Sequence, residues 1–210
     1  MSGDSDVLWC EFLMAHGVLD RAAFQPRNDD MARRYGEGSV SAVDFCDFYV
    51  STLAGRSLAE WRSWCERFLG DVIAPRIPAS ARALVESHRA RGDHLVMTTA
   101  TNRVLTELTA QALNIADLLA TEVEVVDGVC SGRTCGVLNM REGKVARLRT
   151  WLAERGSAAD DALAGASFYS DSINDLPLLQ AVGRPIVVDP DPRLRAHAAT
   201  AGWQVIELTR

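Results

Sequence analysis

The sequence predicts an α/β protein, a doubly wound parallel sheet carrying a small helical module. Three observations support this. Apolar residues from Val7 to about Phe68 fall only at helical spacing. From Ser80 onward, helical stretches alternate with short, wholly apolar strands, the pattern of strands buried on both faces of a parallel sheet. Pro75 to Pro78 separates the two patterns. The expected organisation is a helical module over residues 7–78 and an α/β core over residues 79–210.

In the first region, Leu8, Trp9, Phe12 and Leu13 mark one helix, and Val43, Phe45, Phe48, Tyr49 and Leu53 another. Ser57-Leu58-Ala59-Glu60 is a capping-box pattern that opens a helix carrying Trp61, Trp64 and Phe68. The two tryptophans share a face, which reads as packing rather than a ligand cage. In the core, the pattern predicts a helix over Ser80–Arg91 closed by Gly92, a strand over His94–Thr99, a helix over Arg103–Leu113 and a strand over Glu122–Val126. Asp127-Gly128 signals a hairpin turn, with the return strand expected over Arg133–Leu138. A helix over Lys144–Glu154, a strand over Ala166–Tyr169, a short helix over Leu176–Ala181 and a strand over Pro185–Val188 follow. A helix over Pro192–Ala199 and a strand over Gln204–Leu208 complete the chain.

With 210 residues, 22.9 kDa and 48% hydrophobic residues, the chain is long enough for a core domain plus a small appendage. The net charge of −6 and pI near 5.2, with no basic stripe, argue against nucleic acid or an anionic membrane as partner. No apolar run approaches the ~20 residues of a membrane span, and the N-terminus lacks a basic signal-like start, so a cytoplasmic location is expected. The five scattered cysteines suit reduced thiols better than a disulfide framework. Cys130 and Cys135 flank a glycine-containing turn, but no second Cys/His pair with ligand spacing accompanies them.

The chemistry-bearing stretch is Phe168-Tyr169-Ser170-Asp171-Ser172-Ile173-Asn174-Asp175-Leu176-Pro177. It places two carboxylates and an amide on a tight turn after a short apolar strand, a set of hard oxygens that suits Mg²⁺ completed by water and substrate phosphate. Taken alone, it is equally consistent with Asp171 capping the next helix and Asp175 being a solvated first-turn acid. Thr98-Thr99-Ala100-Thr101-Asn102 offers hydroxyls and backbone N–H groups at a helix mouth, a phosphate cradle or simply helix capping. Arg141-Glu142-Gly143-Lys144 sets a cation at a helix start, where the dipole disfavours it. That hints at charge neutralisation, unless Lys144 is an exposed helix lysine.

Jointly these motifs resemble the haloacid dehalogenase superfamily of phosphatases, in its phosphoserine-phosphatase-like branch. Asp171 to Leu178 is similar to that family's fourth motif, Lys144 to its third and Thr99 to its second, and the resemblance covers nearly the whole chain. The helical module resembles the small cap this branch inserts between its first and second motifs. Thr99 to Arg103, Arg141 to Lys144 and Tyr169 to Leu179 resemble a bacterial subgroup often labelled histidinol-phosphate phosphatases. The resemblance implies Mg²⁺-dependent hydrolysis of a small phosphorylated metabolite, amino-acid-like as in histidinol phosphate or phosphoserine, through an aspartyl-phosphate intermediate. It implies Asp171 and Asp175 as metal ligands, and Thr99, Ala100, Lys144 and Asn174 as phosphate-binding groups. Lys144, Thr99 and Asp175 would take part in catalysis.

One departure stands out. The family begins with a strand ending in Asp-x-Asp-x-Thr, whose first Asp attacks phosphorus, and no such motif occurs in this chain. Asp4-Ser5-Asp6 has the acid spacing, but Leu8 stands where the Thr belongs. Gly3 to Asp6 resembles a stretch that follows the first motif in relatives, so the expectation is a start downstream of that motif, a missing central strand and an inactive chain. Asp4 and Asp6 would then either cap the helix from Val7 or pair with a cationic leaving group. A non-catalytic phosphate-binding protein is the alternative function.

Overall fold

The first four helices start at side chains that accept hydrogen bonds from the unpaired N–H groups of a first turn. The computed structural model describes residues 4–208. Asp4 caps α1 (Ser5–Ala15), Asp20 caps α2 (Arg21–Glu37), Ser41 caps α3 (Ala42–Val50) and Ser57 caps α4 (Leu58–Phe68). The predicted capping box closes in both directions: Ser57 N donates to Glu60 Oε2 at 2.8 Å, and Glu60 N to Ser57 Oγ at 3.3 Å. A π turn over Leu69–Ile73 and a 3₁₀ turn over Ala74–Arg76 lead to α5 (Ala79–Ala90).

Then follow β1 (Val96–Asn102), α6 (Arg103–Ala112), β2 (Asp117–Val126) and β3 (Val129–Cys135). Beyond them lie α7 (Glu142–Glu154), α8 (Ala159–Gly165), β4 (Ser167–Ser170), α9 (Leu176–Ala181), β5 (Arg184–Val188), α10 (Pro192–Ala201) and β6 (Gln204–Ile206). Two compact units divide after Leu138, so the helices of residues 7–78 share the first unit with β1 to β3.

Among the described residues the six strands form two ladders. In the first unit β1 runs parallel to β2, from Val96 opposite Asp117, and β2 turns antiparallel into β3. In the second, β4, β5 and β6 are all parallel, with Ser170 opposite Val187 and Val187 opposite Val205.

Several boundaries differ from the sequence reading. The return strand of the hairpin starts at Val129, not Arg133, because Asp127 (φ 50) and Gly128 (φ 80) make a two-residue turn that reverses the chain at once. β2 begins five residues before Glu122, paired by β1 from Asp117. β1 continues through Asn102, so Thr99 lies inside the strand rather than at its end. Helix α7 begins two residues before Lys144, and α8 occupies a stretch for which no element was expected. Cys130 is buried and Cys135 exposed, each paired to a different residue of β2, so they form no metal or redox pair.

The first unit's core gathers Trp9, Phe12, Leu13, Leu53, Trp61, Cys65 and Phe68 of the helical module with Leu105 and Leu108 of α6. Trp9 meets Trp61 edge-on at 5.6 Å and Phe68 at 5.2 Å, geometry that adds to burial. The hairpin docks on the same helices: Gly55 N donates to Cys130 O and Cys130 N to Arg56 O. Gly132 permits this approach, since a Cβ there would lie 2.8 Å from Ala54 Cβ. In the second unit, Leu179, Val187, Leu194 and Ala198 form one cluster, and Leu163, Leu178 and Val182 another.

Candidate functional site

The second unit assembles half of the predicted site residues, Lys144, Asp171, Asn174 and Asp175. β4 ends at Ser170 because the chain then turns: Ser172 Oγ accepts from Asn174 N at 3.2 Å, and Asp175 N donates to Ser172 O at 3.0 Å, closing a 3₁₀ turn over Ile173–Asp175. Pro177, in the first turn of α9, fits there because no intrahelical partner awaits its missing N–H. The cap is therefore Ser172, not Asp171. The Asp171 residue is exposed at the start of the turn, while Asn174 is buried.

Lys144 is buried, not a solvent-facing helix lysine, at 5% exposure. Its Nζ lies 2.5 Å from Asp175 Oδ1, and the Ser170 hydroxyl donates to Asp175 Oδ2 at 2.7 Å. The cation thus sits against the helix dipole because a carboxylate faces it. Arg141, just before α7, donates from Nε to Asn174 Oδ1 at 3.1 Å. Its backbone (φ 51, ψ −124) is in a region that L-residues seldom occupy. Arg141, Lys144, Ser170, Asn174 and Asp175 therefore form one polar network beside Asp171.

Surrounding protein raises the Asp171 carboxyl above the ordinary aspartate value; the Asp175 carboxylate adds to this and the Lys144 ammonium opposes it. Because the residue as a whole is exposed, water moderates that push. Asp171, Asp175 and the Asn174 amide are hard oxygen donors that fit Mg²⁺, which takes few protein ligands and keeps several waters. Asp175 already accepts at both oxygens, leaving its remaining lone pairs for a cation or its waters. Among the described residues, no three His, Cys, Asp or Glu side chains converge as a metal-binding group.

The first unit holds the other predicted residues. Thr99 Oγ1 accepts from Thr101 N at 3.2 Å, and the Ala100 carbonyl accepts from Thr121 Oγ1 at 2.7 Å. Asn102 caps α6 through Oδ1 to Leu105 N, and its Nδ2 is buried without a partner. Asp4 caps α1, accepting from Asp6 N at 2.8 Å and Val7 N at 3.4 Å. Asp6 is buried at 2% exposure, its Oδ1 without a partner. Burial pushes the Asp6 carboxyl well above the ordinary range, the Asp4 carboxylate pushes the same way, and a hydrogen bond from Thr101 opposes them. Asn28 Oδ1 and Tyr49 Oη are likewise buried and unpartnered. Asn28 reaches Val7 O at 3.4 Å through Nδ2, and burial, with the nearby Asp4 and Asp6 carboxyls adding to it, pushes up the Tyr49 hydroxyl. No role was expected for Asn28, Tyr49, Ser170 or Arg141; Asn28 and Arg141 reach partners 21 and 33 residues away, which local pattern does not signal, whereas Ser170 meets Asp175 within its own turn.

A parallel α/β scaffold with a buried lysine–carboxylate pair beside an acidic turn defines a class of site suited to phosphate and a divalent cation. The haloacid dehalogenase-like hydrolase family model matches residues 1–180, and the chain belongs to that family. A histidinol-phosphatase of Neisseria meningitidis is 34% identical over 97% of this chain and 91% of its own length. A phosphoserine phosphatase of Mycobacterium tuberculosis is 33% identical over 88% of this chain, which spans 56% of that relative. The crystal structure of a Bordetella pertussis protein of unknown function superposes with a TM-score of 0.91 at 43% identity, over 98% of this chain and 92% of that one. A phosphoserine phosphatase captured as a phospho-aspartyl intermediate analogue shares the fold, with a TM-score of 0.69 at 14% identity over 99% of this chain and 88% of that one. Among the described residues, no helix is long and apolar enough to cross a membrane.

Proposed function

We propose that this chain is a Mg²⁺-binding protein of phosphomonoesterase type that acts on a small phosphorylated metabolite. The observation that carries the reading is the buried Lys144–Asp175–Ser170 network beside the solvent-open Asp171. A lysine buried against a carboxylate keeps a directed positive charge in a place of low dielectric, where it acts strongly on phosphoryl oxygens. Mg²⁺ held at Asp171 and Asp175 would supply further neutralisation of phosphate charge. Thr99 would donate its hydroxyl, and Ala100 its N–H, to phosphoryl oxygens. Asn174 would orient phosphate or water, held in place by Arg141. The helices of residues 7–78 would act as the cap that selects substrate.

The names of the relatives support an amino-acid-like ester such as histidinol phosphate or phosphoserine. Asp6 supports a cationic leaving group: its buried, unpartnered oxygen is an acceptor that an ammonium would satisfy. Asp4, as helix cap, would contribute charge rather than contact. The free cysteines suit a reducing, cytoplasmic setting.

In a family hydrolysis, a carboxylate oxygen attacks phosphorus, the alkoxide departs with a proton, and water then cleaves the acyl phosphate. The sequence holds no Asp-x-Asp-x-Thr to supply that carboxylate. A second reading is phosphate binding without turnover. Calorimetric titration with orthophosphate and an assay on p-nitrophenyl phosphate test both. The expected result under both readings is phosphate binding that requires Mg²⁺ and falls about tenfold or more in Asp171→Asn; hydrolysis alongside it supports the first reading, and its absence the second. Binding indifferent to Mg²⁺ and to D171N would overturn the metal and phosphate assignment. Hydrolysis abolished by Asp4→Asn would instead make Asp4 the nucleophile.

A further inference from the structure

In the second unit, the turn carrying Asp171, Asn174 and Asp175 is held from outside by a residue that plays no part in the network described above. Asp191 follows β5, at the end of the ladder where β4 delivers Asp171. Its backbone N donates to Asp171 O at 2.8 Å, and its Oδ2 accepts from Ile173 N at 2.6 Å. One residue thus brackets the Asp171–Ile173 segment, fixing the carbonyl on one side and the amide on the other. Its second oxygen, Oδ1, accepts from Arg193 N at 2.8 Å and Leu194 N at 2.9 Å, so the same carboxylate caps α10.

Asp191 is itself anchored. Asp189, at φ 43 in the left-handed region that Asp tolerates, turns the chain out of β5. Asp189 N donates to Ile206 O at 3.1 Å, and Asp189 Oδ2 accepts from Leu208 N at 3.3 Å. The bracket therefore transmits the position of the sheet and of α10 to the acidic turn. A carboxylate that accepts three N–H groups is a stronger and stiffer tie than a neutral cap. An N-cap alone needs only Oδ1, so the bond to Ile173 N is additional to capping.

We propose that Asp191 is a positioning residue that sets the Asp171–Asp175 turn in the geometry for divalent-cation binding, an inference that rests on the metal reading above. The test is the affinity of the chain for Mn²⁺, a paramagnetic stand-in for Mg²⁺, read from the EPR signal of the free ion. Hydrogen exchange at the Ile173 amide is followed in parallel. Asp191→Ser keeps a capping oxygen for α10 but is too short to reach Ile173 N. Asp20→Ser makes the same change at the cap of α2, in the other unit, and serves as control.

The expected result is a Kd for Mn²⁺ raised about tenfold in D191S, the scale for loss of a group that orients a metal ligand. Exchange at Ile173 should quicken while the α10 amides stay protected, and D20S should leave the affinity unchanged. Equal Mn²⁺ affinity in D191S and the unmodified chain would overturn the role of Asp191 and leave the metal reading standing. Equal weakening by D191S and D20S would also overturn it, since the effect would then follow general stability. No Mn²⁺ binding by the unmodified chain would overturn the metal reading, and with it the purpose assigned to Asp191.

Discussion

Each unit draws an acid out of water, Asp6 fully in the first and Asp175 for the most part in the second, and the two are compensated in opposite ways. In the first, Asp6 sits at 2% exposure with a hydroxyl neighbour, a second acid nearby and one oxygen without a partner. In the second, Asp175 has a lysine at 2.5 Å on one oxygen and a serine hydroxyl at 2.7 Å on the other. Desolvation acts against a lone charge and is offset only by good partners, so the two acids respond to removal of a neighbour very differently. Asp175 has a partner on each oxygen and needs its lysine. Among the described residues, Asp6 keeps one oxygen without a partner and has no cation beside it.

The strongest way to break this contrast is Lys144→Met. It leaves the Asp175 carboxylate, 13% exposed in its side chain, without a cation, and should destabilise the chain by about 3–5 kcal/mol in denaturant unfolding. The double variant Lys144→Met/Asp175→Leu should recover most of that loss, since removing both charges removes the need for pairing. A K144M variant as stable as the parent would show that water, not Lys144, compensates Asp175.

A smaller effect is expected at the other acid, because Asp6→Asn is nearly isosteric and removes no partner charge. Asp6 faces Asp4 and Cys10 on its own helix, Cys46 and Tyr49 on α3, and Thr101 on β1. None of these is a cation, and burial together with the nearby acids pushes the Cys46 thiol up to about 12. An unfolded Asp releases its proton near pH 3.9, roughly the model-peptide value. Between that value and the raised folded value, the folded chain keeps a proton that the unfolded chain has lost. Stability therefore falls as pH rises through the window. D6N should flatten this fall, so that its stability relative to the parent improves as pH rises. Parallel stability–pH curves for the two proteins would mean that Asp6 is not held protonated.

The contrast also marks what local sequence can show. Helix α9 spans Leu176–Ala181 as its pattern predicts, and the capping box at Ser57 and the Asp127-Gly128 turn form as expected, because each is a short-range arrangement. Asp171, Asn174 and Asp175 lie within five residues, so their shared turn was legible too. Thr99 was misplaced in its strand because Thr and Asn suit a strand end and a helix cap alike. Asp191 drew no reading, because its reach to Ile173, eighteen residues back, is tertiary. The tie between Arg141 and Asn174 spans thirty-three residues and was equally silent.

Arg141 supplies the finest probe of how the second unit holds its polar groups. At φ 51 and ψ −124 its backbone resembles the first central position of a type II′ turn, where glycine is at ease. Arg141→Ala loses the hydrogen bond to Asn174 and keeps the strained backbone, whereas Arg141→Gly loses the bond but relieves the strain. The glycine variant should therefore be the more stable of the two, by about 1 kcal/mol, at the low end of what such backbone positions cost. Equal stability of the two variants would mean that the backbone at 141 bears no strain. The loss common to both would then report the guanidinium's contacts, the hydrogen bond to Asn174 among them.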